Sequence, residues 1–293
     1  MQSHISLTAF DYKFNLRTYF DLSIAVNPYL SPLEQVQTFG LPPSSAQPFR
    51  AGSFIASVDA GGSVNCPIMS SLCAHSNGTH TECVGHALPG KVTLSKIEPI
   101  QPLLTAMLLS VTPRPIESAG AGGSDLRSEY PPGKTGDLVV SGDSLEESFK
   151  GLSLGAEFLS NGALVVRTLP NIDAKRTAQY GGTNPPYFTR CAMQWVLEKS
   201  VQHLLMDLPS ADREDDSGML IAHRTFWNLQ ERALPAESIR QDKSEEKYSS
   251  KTITELVYAD SSVKDGQYIL NLQVSPIDMD AAPSRPLLFS IEI

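Results

Sequence analysis

"SNGTHTECVGHAL", residues 76–88, sets His80, Glu82 and His86 within seven positions, directly after a glycine and a threonine. The chain has only six histidines, and two of them fall here. If the segment is extended, His80 and Glu82 project from one face, and His86 joins them where that geometry continues. Imidazole and carboxylate on a common face suit a divalent metal such as zinc or manganese. The bland alternative is a surface strand or loop with scattered polar residues.

Strand signals dominate on either side of this stretch. "ISLTAF", "YKFNL" and "YFDLSIAV" are short, β-branched or aromatic, and broken by polar residues. A proline-rich loop, "GLPPSSAQPFRAG", follows, then "SFIASV" as a possible strand. Beyond the motif, "LLTAMLLSVTP", "GALVVRTL" and "HLLMDL" are buried-strand candidates, and "TITELVYA", "QYILNLQVS" and "RPLLFSIEI" close the chain as strands. The helix candidates are "DSLEESFKGL", "RCAMQWVLEKSV" with Thr189 as its cap, and "GMLIAHRTFWNLQERAL". The glycine- and proline-rich stretch 118–136 reads as a long functional or mobile loop. Strands and helices do not alternate strictly, so a doubly wound nucleotide-binding sheet fits poorly. No internal repeat or linker divides the chain, and the expectation is a single α/β domain over 1–293, rich in strands with helices packed outside.

The 293 residues carry a net charge of -9, from 32 acidic against 23 basic side chains. That sign repels phosphate backbones, and no basic stripe offsets it, so nucleic acid is not an expected partner. No run approaches 18 apolar residues, and the N-terminus lacks a basic region leading into an apolar one; neither a membrane span nor a signal peptide is expected. Cys66, Cys73, Cys83 and Cys191 lack CxxC spacing and look like free thiols of a reducing compartment. Together these point to a cytoplasmic protein, in which the sequon at Asn77 carries no meaning.

Several tempting motifs fail. "GKT" at 133–135 has Ser128 where a phosphate-binding loop needs glycine, and it leads into the strand-like "DLVV" rather than a helix. No GxSxG elbow is present. Cys83 is close to two histidines, but an inert buried cysteine is the commoner case. His203 reads as a core histidine, Asp207 and Asp212 as structural residues of a proline turn, and 212–216 as a solvated acidic loop; His4 carries no signal. Glu255 sits among apolar strand residues, where an unpaired carboxylate is costly to bury, so a cation is its natural partner.

The quoted stretch resembles the fingerprint HxGTHxDxPxH of the metal-dependent cyclase and kynurenine formamidase (arylformamidase-like) family. "GTH" matches at Gly78-Thr79-His80, the acid at Glu82 and the last histidine at His86. "FDLSIAV" at 20–26 is similar to the family's N-terminal "DLS" strand, and "LLMDLPSADRE" at 204–214 to its "IDTPSVD" strand and turn. His223 in "AHRTFW" and Glu255 in "ITELVY" fall where the family has a later histidine and a glutamate ligand. The chain departs at the first histidine, which here is Ser76, at the acid, which is one methylene longer, and at the proline, which is Val84. His75 takes the place of the missing histidine only if the loop shifts, because neighbouring residues of an extended segment face opposite sides.

The resemblance implies the swivelling β/β/α-type cyclase fold, a mainly β core with outer helices, and a homo-oligomer. It implies a zinc or manganese ion held by His80, Glu82, His223 and Glu255, with His75 as a possible additional ligand, and His86 as the proton-transfer residue. The implied chemistry is hydrolysis of an amide-like C–N bond in a small aryl formamide or cyclic amide by metal-activated water. Phe226, Trp227 and Tyr187 are the candidates for a flat apolar substrate pocket, with core filling as the alternative. The opposing expectation is a decayed metal site, leaving a binding or scaffold protein on the same fold.

Overall fold

Leu104–Val111, Ala163–Thr168 and His203–Met206 are apolar runs buried on alternate and intervening positions alike, the pattern of strands covered on both faces. In the computed structural model, which describes residues 6–9, 12–118, 133–152, 155–230 and 249–292, these three lie side by side in parallel. Thr252–Glu255 continues the parallel set, and the short strand His80–Glu82 pairs antiparallel with it. On its other edge His80–Glu82 meets the start of Ala281–Glu292. That long strand pairs with Gly266–Val274, which returns to Leu104–Val111. Seven strands therefore close into a barrel, and Tyr12–Asp21 and Ser6–Ala9 extend outward from its Ala281–Glu292 strand.

Register assigns the two faces. Partners across a ladder share a side, so Leu108, Val165 and Leu205 point one way, and Leu109, Val166 and Met206 the other. Helix α1 (Gly142–Gly151) and helix α2 (Arg190–Glu198) pack Leu145, Phe149, Ala192, Trp195 and Val196 against the second set, which is the outside of the barrel. The first set, with Leu270, Leu272 and Leu288, fills the interior. Each such side chain contributes about 1.5–3 kcal/mol by burial. Two polar pairs share the interior: His203 Nδ1 with Thr252 Oγ1 at 2.8 Å, and Thr81 Oγ1 with Thr254 Oγ1 at 2.8 Å. Thr189 caps α2 as expected, accepting from Ala192 N–H at 3.2 Å, whereas α1 is capped by Ser141, which accepts from Ser144 N–H at 3.2 Å, two residues ahead of the expected Asp143.

Three local expectations are corrected. Of the helix read over 218–234, the described part, 218–230, forms only α3 (Ile221–Phe226), entered through left-handed Leu220 (φ 49) and followed by left-handed Asn228 (φ 56). "YKFNL" and the start of "YFDLSIAV" form one ten-residue strand, Tyr12–Asp21. Residues 74–76, next to the motif, form a turn instead of an extended approach. The stretch after "GKT" is strand Leu138–Val140, in keeping with rejection of a phosphate loop. Most of the long loop 118–136, the helix tail beyond residue 230 and His4 lie outside the described residues. Among the described residues no helix is long and apolar enough to cross a membrane.

Candidate metal centre

The same register that puts Thr81 and Thr254 inside the barrel puts His80, Glu82 and Glu255 outside it, under the helices. Glu255 lies opposite His80, and Ile253 opposite Glu82. None of the three polar residues is more than 3% exposed. Gly78 lets the chain approach closely: a Cβ there would lie 2.6 Å from the Ile24 carbonyl oxygen. Thr79 then locks the "DLS" segment, accepting from Ile24 N–H at 2.7 Å through Oγ1 and donating its own N–H to Ile24 O at 2.9 Å, while its hydroxyl donates to Leu256 O. The glycine and threonine of the motif are thus structural supports for the histidine that follows.

His223 arrives from α3. Asp212 accepts from Ala222 N–H at 2.7 Å and His223 N–H at 3.2 Å, and it also holds His223 Nδ1. That leaves Nε2 aimed inward, 2.7 Å from Glu82 Oε1 and 3.5 Å from Glu255 Oε1. His80 Nε2 lies 3.4 Å from Glu255 Oε2 while its Nδ1 faces Gly78 O at 3.1 Å. Glu255 Oε1 also accepts from Ala211 N–H at 2.9 Å.

A second group sits at the rim. The strand ends at Glu82, and the 3-10 turn Val84–Ala87 brings His86 back with Nδ1 3.7 Å from Glu82 Oε2. The turn at 74–76 swings His75 inward, with Nδ1 3.2 Å from Glu82 Oε2, and sends Ser76 to accept from Thr38 N–H at 3.0 Å. The extended geometry that would have turned His75 away is absent. Asp280, which carried no signal in the sequence, completes the group: its Oδ2 is 3.1 Å from His75 Nε2 and 3.5 Å from His86 Nδ1.

Charge is concentrated here on groups of which His80, Glu82, His223 and Glu255 are buried. Burial favours a neutral Glu82, yet the positive charges of His86 and His223 hold its carboxyl well below the usual range. Burial likewise opposes a charged His223, but Glu82 and Asp212 raise it well above an ordinary imidazole. His75 is pushed down by burial and then up to about 10 by its bonds to Asp280 and Glu82. Hydrogen bonds from His75 and His86 keep the Asp280 carboxyl far below the usual carboxylate range.

Even so, His80 Nε2, His223 Nε2 and both Glu82 oxygens are buried with no hydrogen-bond partner; their close approaches lack hydrogen-bond geometry. Buried polar atoms are rarely left that way. Two imidazole nitrogens and two carboxylates facing one point form a donor set that fits a divalent metal ion. His80, Glu82 and Glu255 bring ligand atoms within 4.8 Å of one another, as do His75, Glu82 and His86. The pocket aromatics separate. Trp227 touches the centre, its ring 5.4 Å from that of His223. Phe226 and Tyr187 instead fill the core at 0% exposure, and Tyr187 donates its hydroxyl to Asp137 at 2.8 Å.

A search of curated proteins finds no match. Among solved structures, an isatin hydrolase bound to the product analogue thioisatinate superimposes with a TM-score of 0.58 at 13% identity, covering 94% of this chain and 92% of that one. Isatin hydrolase A from Ralstonia solanacearum gives 0.56 at 14% identity, with 93% and 91% covered. A "predicted metal-dependent hydrolase" from Bacillus stearothermophilus gives 0.55 at 13% identity, with 93% and 98% covered. At such identities these likenesses establish the fold. The cyclase family model, "Putative cyclase", matches residues 20–213, well over half of the chain and inclusive of His75, His80, Glu82 and His86. With that match, the chain belongs to the cyclase family.

Proposed function

We propose that this cyclase-family chain is a metal-dependent hydrolase that cleaves the amide-type C–N bond of a small aryl formamide or cyclic amide. The observation that carries the reading is the convergence of unpartnered, buried His80 Nε2, His223 Nε2 and Glu82 oxygens on one point beside Glu255. His80, Glu82, His223 and Glu255 would hold the ion, with His75 Nδ1 next to Glu82 as a further donor. What a divalent ion supplies in such a site is Lewis acidity toward a carbonyl and a nucleophilic water near neutral pH.

The remaining steps belong to the protein. Glu82 and Glu255 would supply the negative charge that retains a cation in this buried site, and Asp212 fixes the ring of His223 so that its inward nitrogen stays aimed. His86, 28% exposed at the rim, is placed to hold a proton and deliver it to a departing nitrogen. The isatin hydrolases among the structural neighbours favour a cyclic amide, and Trp227 beside His223 favours a flat ring.

The test is metal analysis of the purified chain followed by a panel of aryl formamides, isatin, lactones and simple esters with added zinc or manganese. Metal-dependent turnover of the formamides or isatin is expected. Turnover confined to lactones or esters would remove the amide assignment, and metal-free protein inert on the whole panel would leave a binding protein on this fold.

A further inference from the structure

Asp280 belongs to no motif, yet it touches both rim imidazoles. It immediately precedes the Ala281–Glu292 strand, whose pairing of Ala281 with Glu82 sets it beside the centre. Its main chain is anchored separately, since its carbonyl accepts from Cys83 N–H at 2.9 Å. The side chain is therefore free to serve the histidines. One oxygen, Oδ2, faces His75 Nε2 at 3.1 Å and His86 Nδ1 at 3.5 Å. The two rings lie 4.5 Å apart at 39°, so a single carboxylate oxygen addresses them together.

An imidazole that donates one N–H to a carboxylate has the lone pair of its other nitrogen fixed in place. For His75 the donor is Nε2, which leaves the Nδ1 lone pair pointing at the metal centre beside Glu82. His86 turns Nδ1 toward Asp280 Oδ2 at 3.5 Å and Glu82 Oε2 at 3.7 Å, which leaves Nε2 on the opposite edge of the ring. We propose that Asp280 is a positioning residue that fixes these two tautomers at once, one ring turned inward as a ligand and the other kept free to carry a proton.

For catalysis the inference rests on the hydrolase reading above. As water oxygen bonds to the carbonyl carbon, the proton released passes to His86 Nε2. When the C–N bond breaks, its electron pair stays on nitrogen and His86 returns that proton to it. Asp280 neutralises the imidazolium between those events and is itself unchanged.

The experiment compares zinc-loaded wild type with Asp280→Asn and Asp280→Glu in three readouts. Long-range proton–nitrogen NMR of histidine-labelled protein should show His86 as the Nδ1–H tautomer in the wild type, and a population shift toward Nε2–H in Asp280→Asn. On formanilide, kcat of the Asn variant should fall about 10–100-fold, with KM changed less than about threefold, and Asp280→Glu should recover part of the loss. The loss should shrink on N-formyl-4-nitroaniline, whose amine departs with less need of a proton. Wild-type His86 found as Nε2–H, or a loss equal for both anilides, would overturn the proposal. Should wild type turn over no amide, the function proposed above fails, while the tautomer measurement still decides the role of Asp280.

Discussion

Replacing Asp212 by alanine removes the acceptor for Ala222 N–H at 2.7 Å and His223 N–H at 3.2 Å, together with the partner of His223 Nδ1. Leu220, which precedes α3, makes no side-chain cap, so nothing stands ready to replace the carboxylate. A buried N–H left unpaired costs about 1–3 kcal/mol, and a hydrogen bond to a charged group contributes about 1.5–3 kcal/mol. The three bonds share one carboxylate and do not add in full, so the expected loss in Asp212→Ala is about 3–5 kcal/mol. Urea unfolding of the metal-free protein measures it. Zinc titration should show affinity reduced about 10–100-fold as well, because the ring of His223 is no longer held. Asp212→Asn keeps an acceptor for the backbone N–H groups and should regain part of the stability but little of the affinity. A loss below about 1 kcal/mol in the alanine variant, with zinc affinity intact, would refute the claim that Asp212 builds this half of the centre.

His80→Ala should lower metal content sharply, as read by elemental analysis; full occupancy in that variant would exclude His80 as a ligand. His86→Gln should retain the ion and lose about 10²–10⁴-fold in kcat, since only proton transfer is removed; loss of the ion would make His86 a ligand instead. His203 gives a pH signature. Burial, then the nearby Lys251, lowers it from 6.5 to about 4. The folded ring stays neutral while the unfolded one takes a proton below pH 6.5, so its contribution is complete above 6.5 and is lost as pH falls toward 4. The loss is on the order of 3 kcal/mol. His203→Gln should flatten the urea-unfolding profile by about that amount between pH 7 and 4, and an unchanged profile would show that the ring is charged inside the barrel.

Much of the centre was legible in residues 78–82 because two physical requirements coincide there. Gly78 must lack a Cβ beside Ile24 O, and alternate strand residues must carry the histidine and the carboxylate. Glu255 was legible as a charge in an apolar strand that needed a partner. His75 was legible as an additional ligand only on condition of a shifted loop, and the turn at 74–76 supplies that shift. Asp280 was hidden because its approach depends on pairing between residues about 200 positions apart, and local pattern does not encode that. For the aromatic candidates the sequence left pocket and core filling open, and Phe226 and Tyr187 are fully buried in packing. The curtailed α3 shows the same limit, since left-handed Asn228 halts a pattern that looked helical for another two turns.

The strand that carries His80 and Glu82 is three residues long, and it is also the element that joins Thr252–Glu255 to Ala281–Glu292. It works as the clasp of the cylinder. Three residues offer too few ladder bonds to make a strong seam, and the buried like charges of Glu82 and Glu255 strain it further. An ion gripping both strands would fasten that seam, so capture of the metal and closure of the ring become one cooperative event. Stripping the ion should then open the cylinder at one place. Amide exchange should quicken first along residues 80–83 and 252–255, while the three central parallel strands stay protected until the whole molecule unfolds.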